Sequence, residues 1–124
     1  RGVRWFADAG LAAPQLYVPP AWALGALRSE SLPAPPFRWI ETLTGIHDLR
    51  ARRFHVLPLA GFEADNGFRG VALRASNGAS AAFARISGRP LRVAVHPHDL
   101  DLRLAGDLRR LLRTRIRSIG PDAI

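Results

Sequence analysis

Apolar and polar positions along the 124 residues fall into short blocks of two different periods. Val3 to Ala9, with Trp5 and Phe6 apolar, reads as the end of a helix, and Gly10 supplies its stop. Gln15 to Val18 is a short strand that ends at Pro19-Pro20, because proline donates no ladder hydrogen bond and restricts the residue before it. Ala21 to Arg28 has room for one or two helical turns, and Ser31 to Pro36, with three prolines, is a loop. Phe37 to Thr42 (FRWIET) alternates apolar with polar side chains, the period of a strand, and Phe54 to Leu59 forms another.

The longest periodic block follows. Asn66 caps a helix through about Ser87, in which Phe68, Val71, Ala72, Ala75, Ala79, Ala82, Phe83 and Ile86 recur at the three-to-four spacing of one stripe and are expected to face the core. Gly88 and Pro90 end it. Leu91 to Val95, broken only by Arg92, predicts a strand buried on both faces. Asp99 or Asp101 then caps a helix through Arg113, with Leu104, Leu108, Leu111 and Leu112 inward, and Arg115 to Ile119 reads as a last strand.

Strand, loop, helix, strand, repeated, predicts the α/β class with parallel βα units. About five strands are too few for an eight-stranded barrel, which takes roughly 250 residues. The chain is thus a small open α/β sheet or one partial domain, spanning 1–124, of a barrel.

Composition changes this picture little. Hydrophobic content of 48% describes an ordinary globular interior. No apolar run nears the ~20 residues that span a bilayer. No signal-peptide pattern starts the chain, which leaves the compartment open with a lean to the cytoplasm. The start at Arg1 is expected of a processed product or a piece of something longer. All 18 basic residues are arginine and the net charge is +8. These arginines are spread through every segment, with Arg109, Arg110 and Arg113 on the outer face of the last helix, so nucleic acid is not the expected partner. There is no cysteine, and hence no disulfide or thiolate metal site.

Three segments carry candidate chemistry at strand ends, where parallel α/β folds bind ligands. In Tyr17-Val18-Pro19-Pro20-Ala21-Trp22, two prolines stiffen a turn and Trp22 can offer a flat wall to a sugar ring or acyl group, or simply fill the core. In Arg38-Trp39-Ile40-Glu41-Thr42, the strand end offers Trp39, which also suits a core, and the carboxylate of Glu41. In Val93-Ala94-Val95-His96-Pro97-His98-Asp99, imidazole supplies a proton donor or acceptor near neutral pH. If the strand persists, His96 and His98 share a side and could share a metal. If the chain turns at Pro97, only His96 faces a site and Asp99 caps the next helix. His47 and His55 read as structural or solvent-exposed. No glycine-rich phosphate loop, G-x-S-x-G elbow or complete metal constellation is present.

The YVPPAW turn, the FRWIET strand and the late VAVHPHDL segment together resemble the second half of polysaccharide deacetylase (NodB-homology, carbohydrate esterase) domains, in particular a divergent bacterial branch known only as a domain of unknown function. The resemblance spans nearly the whole chain. It implies the C-terminal half of a distorted (β/α) barrel that removes N- or O-acetyl groups from polysaccharides. Pro19 and Pro20 match one wall of the substrate groove, and Trp39 lies where the family places an aromatic segment near the acetyl methyl. His96 matches the late-strand histidine that acts as general acid. Trp22 and Glu41 join the candidate substrate-binding residues.

Two departures stand out. Val18 replaces an arginine that usually begins the turn, and nothing in 1–124 matches the family's paired aspartates and H-x-x-x-H ligands, which belong to the first half. The resemblance therefore implies a divalent metal, as a rule zinc, in the intact domain. This chain alone would not hold it tightly, and His98 is at most a secondary ligand. The implied partners are a carbohydrate substrate and the N-terminal half of the same domain. Exposed strand edges of a half-barrel would also favour self-association. The competing readings are a catalytically inactive carbohydrate-binding or interaction module of the same fold, and a different metallohydrolase using His96 and His98 as an H-x-H pair.

Overall fold

The computed structural model describes residues 2–25, 36–114 and 117–124. The chain forms two compact units, Arg1–Val56 and Leu57–Ile124. Among the described residues, no helix is long and apolar enough to cross a membrane.

The first unit opens with α1 (Gly2–Asp8). Gly10 takes a left-handed φ of 67° and lets Leu11 donate its N–H back to the Phe6 carbonyl at 2.8 Å, which closes the helix. Four strands follow in one sheet, β1 (Leu16–Tyr17), β2 (Trp39–Thr42), β3 (Gly45–Asp48) and β4 (Arg53–Val56), in that spatial order. β1 pairs parallel with β2, while β2, β3 and β4 form an antiparallel meander.

That meander departs from the parallel βα units expected from the sequence. The reason is the length of the links. Only Leu43-Thr44 joins β2 to β3, and only residues 49–52 join β3 to β4, whereas a parallel crossover takes a dozen or more residues. Gly45 is required at its place, because a Cβ there would overlap the carbonyl oxygen of His55 on β4. Residues 26–35, which include parts of the expected helical turns and the proline loop, lie outside the described residues.

Asp48 ties down the second turn. Its Oδ1 accepts the N–H groups of Arg50 and Ala51 at 2.9 and 3.0 Å, and its Oδ2 accepts from the Arg38 guanidinium at 3.1 Å. Burial alone would push the Asp48 carboxyl up, but the N–H of Ala51, the Arg38 guanidinium and the N–H of Arg50 outweigh it and hold the carboxyl below its ordinary 3.8. Burial lowers His47, whose ring packs on Phe54 at 4.4 Å.

In the second unit, β5 (Leu59–Ala60), α2 (Gly67–Ser87) and β6 (Arg92–Val93) make a parallel β-α-β unit. α2 has the expected ends: the Asn66 side chain accepts the N–H of Arg69 at 2.9 Å, and Gly88 is left-handed. Its facing is the reverse of the expectation. Gly70 and Ala84 are buried and Leu73 packs on the core, while Phe68, Val71, Phe83 and Ile86 are exposed.

The last helix, α3 (Ala105–Arg113), begins after a 3-10 turn at Asp99–Asp101, so neither aspartate caps it; Leu104 sits at the cap with no side-chain bond. Ala60, Phe62, Ala64, Leu104 and Leu108 form the core, with Leu73, Leu91, Val93 and Leu111 against it. Leu112, expected inward, is exposed, and so is Val95, because pairing ends at Val93. Of the expected final strand, Arg115 and Ile116 lie outside the described residues, and 117–120 form no strand.

The Asp48 network makes a pH prediction. A carboxyl held low in the fold stabilises fully above its unfolded value near 3.8, and that stabilisation is lost as pH falls through the lower folded value. Asp48→Asn is expected to cost about 1–3 kcal/mol at neutral pH. It should also flatten the stability profile below about pH 4, as read by denaturant unfolding at a series of pH values.

Candidate active site

The carboxyl end of β6 runs into Ala94–Asp99, and its parallel neighbour β5 runs into Gly61–Asn66, so both loops lie at one edge of this small sheet. Ladder bonds from Arg92 N–H to Pro58 and from Ala94 N–H to Ala60, both 2.9 Å, set the direction in which the second loop leaves. The chain then turns at Pro97-His98. Asp99 N–H donates to the His96 carbonyl at 3.1 Å, and Asp99 Oδ2 accepts the His96 N–H at 2.8 Å. A four-residue loop is thereby closed from both sides.

This loop divides the HPHD run. Asp99 is fully buried, and its Oδ2 lies 3.6 Å from His96 Nδ1. The His96 side chain is 44% exposed. With Nδ1 turned to the carboxyl, Nε2 is on the far edge of the ring. His98 is exposed and does not share a strand face with His96, because pairing stops three residues before His96. Among the described residues, no three His, Asp or Glu side chains are grouped so as to hold a metal ion. His96, His98 and Asp99 therefore do not make a metal centre on their own.

Asp99 is not the helix cap that its place before a helical pattern predicts; the H-x-x-D spacing is the signal for the contact that forms. Its Oδ1 is also buried, with no hydrogen-bond partner among the described residues.

The remaining candidates belong to the first unit. β1 and β2 are parallel neighbours, so the Pro19–Trp22 turn that leaves β1 and the Glu41-Thr42 end of β2 lie at the same edge of that sheet. Pro19 is buried, Pro20 exposed, and Trp22 and Glu41 half-buried. The turn is strained: Ala21 and Trp22 have φ of 51° and 54°, a region that bulky L-residues rarely occupy. Trp39 is placed differently. It is buried at the start of β2, with the Arg38 guanidinium 4.3 Å from its ring centre and His55 edge-on at 6.5 Å. Its indole packs the interior instead of forming an exposed wall.

No family model, no curated protein and no solved structure matches this chain.

The loop closure can be tested directly. Asp99→Ala leaves the His96 N–H without its acceptor and is expected to cost about 1–3 kcal/mol. Hydrogen exchange should show the His96 amide losing its protection while the α2 amides keep theirs, and an unchanged His96 amide would refute the closure.

Proposed function

We propose that this chain is the C-terminal portion of a metal-dependent carbohydrate deacetylase-like hydrolase, part of a distorted (β/α) barrel, with His96 as general acid. The observation that carries the reading is the pairing of an exposed imidazole with a fully buried carboxyl at the carboxyl edge of a parallel β-α-β unit. That arrangement suits proton donation. Asp99 holds the Nδ1 side of the ring and the His96 backbone, so the donor atom is Nε2. As the tetrahedral intermediate of acetyl transfer collapses, its C–N or C–O bond breaks and the bonding pair goes to the leaving sugar amine or alkoxide. Nε2–H then supplies the proton and leaves neutral imidazole.

The divalent metal that the resemblance implies would polarise the acetyl carbonyl in the intact domain, and its ligands are looked for outside 1–124. In the same reading, the sugar-facing surface of the first unit is its Pro19–Trp22 turn with Glu41. The strain at Ala21 and Trp22 supports this, since backbone held in rare conformations gathers at ligand sites.

The test uses the complete gene product. Its coding region is expected to carry paired aspartates and an H-x-x-x-H motif upstream of Arg1, and the protein to release acetate from N- or O-acetylated oligosaccharides. His96→Ala should then lower kcat by about 10²–10⁴-fold with little change in KM. A reading frame without those motifs would sink the hydrolase reading. Glycan binding that survives both His96→Ala and a chelator, without acetate release, would point to the inactive carbohydrate-binding module.

A further inference from the structure

The stripe of α2 that sequence periodicity assigns to the core lies on the opposite side of the helix from it. Phe68 and Ile86 are each 87% exposed, and Val71 and Phe83 are exposed between them. The order of residues along this stripe is symmetric about Asn77. Phe68 mirrors Ile86 at nine residues' distance, Val71 mirrors Phe83 at six, and Ala75 mirrors Ala79 at two. Bulky side chains therefore stand at both ends of the stripe and small ones at its centre.

We propose that α2 pairs antiparallel with the α2 of a second copy of this chain, across a two-fold axis beside Asn77. An isologous interface needs a surface complementary to itself after a half-turn. The stripe meets that requirement: Phe68 of each copy lies over Ile86 of the other, Val71 over Phe83, and the central alanines let the backbones approach. Charge selects the same orientation. Exposed Glu63 and Asp65 flank the start of α2 and both pair with Arg69 (3.6 and 3.9 Å), two carboxylates to one guanidinium, and exposed Arg85 and Arg89 flank its end. Antiparallel pairing sets each acidic end beside a basic end and opposes the two helix dipoles, whereas parallel pairing would put arginines beside arginines. The pairing rests on α2 and the charges that flank it, and does not depend on the deacetylase reading.

Sedimentation of the chain is expected to give twice the chain mass, and Phe68→Arg with Ile86→Arg to give a monomer with the same far-UV circular dichroism. The chain lacks cysteine, so single introduced cysteines report the orientation. Phe68→Cys mixed with Ile86→Cys should form a mixed disulfide. Phe68→Cys alone should not link to itself, since the two sites would be about 27 Å apart along the helix. A monomer for the unsubstituted chain, a dimer that survives the double arginine variant, or ready self-linking of Phe68→Cys would each overturn the proposal.

Discussion

The side-chain amide of Asn77 donates to the carbonyl of Gly61 at 2.8 Å and accepts the Gly61 N–H at 3.1 Å. β5 is only two residues long, so the backbone that leaves it has little ladder to satisfy its polar groups. One amide from the middle of α2 satisfies both. That pair of hydrogen bonds fixes the rotation of α2 about its axis, and Gly70, Leu73 and Ala84 follow Asn77 inward by helical spacing. Gly70 faces Ala64, whose side chain a Cβ at that position would meet in ordinary van der Waals contact at 3.9 Å. The core of Phe62, Leu104 and Leu108 is then assembled on the same side, and Arg74 joins α2 to α3 through Asp107 at 2.8 Å.

Buried polar groups do comparable work elsewhere. Asp48 closes the turn between β3 and β4 with two backbone N–H groups, and Asp99 closes the loop after β6 with one. In each case a short stretch without ladder bonds is held by a carboxyl from inside, because an unpaired buried N–H costs about as much as a lost hydrogen bond. The candidate acid His96 thus owes its place to the same device that shapes the ordinary turns.

What could be read from the sequence was mostly local. Asn66 and Gly88 delimit α2 through their own backbone chemistry, and both ends were legible. Which face of α2 turns inward was not, because apolar periodicity favours the Phe68–Ile86 stripe while the partner of Asn77 is sixteen residues away. β3 was missed for a related reason. Its GIHD has no β-rich run, and the Leu43-Thr44 turn lacks the Asn-Gly or Asp-Gly signal of a two-residue hairpin, so the sequence pattern predicts parallel strands where the meander is antiparallel. At the candidate site, His96 stood out by residue type and position at a strand end. The burial of Asp99 depends on how the 94–101 segment folds back, which the spacing alone left open.

A proton donor must be both held and reachable, and these demands conflict on an isolated loop, where an exposed histidine samples several rotamers. The 96–99 loop resolves the conflict by dividing the tasks between two residues. Asp99 is buried completely and grips the backbone, while the ring it faces is 44% exposed. His98, two residues on, has exposure without such a hold. The difference between two neighbouring histidines in one short motif is therefore one of support instead of residue type, and it is the reason His96, not His98, is the residue proposed as the acid.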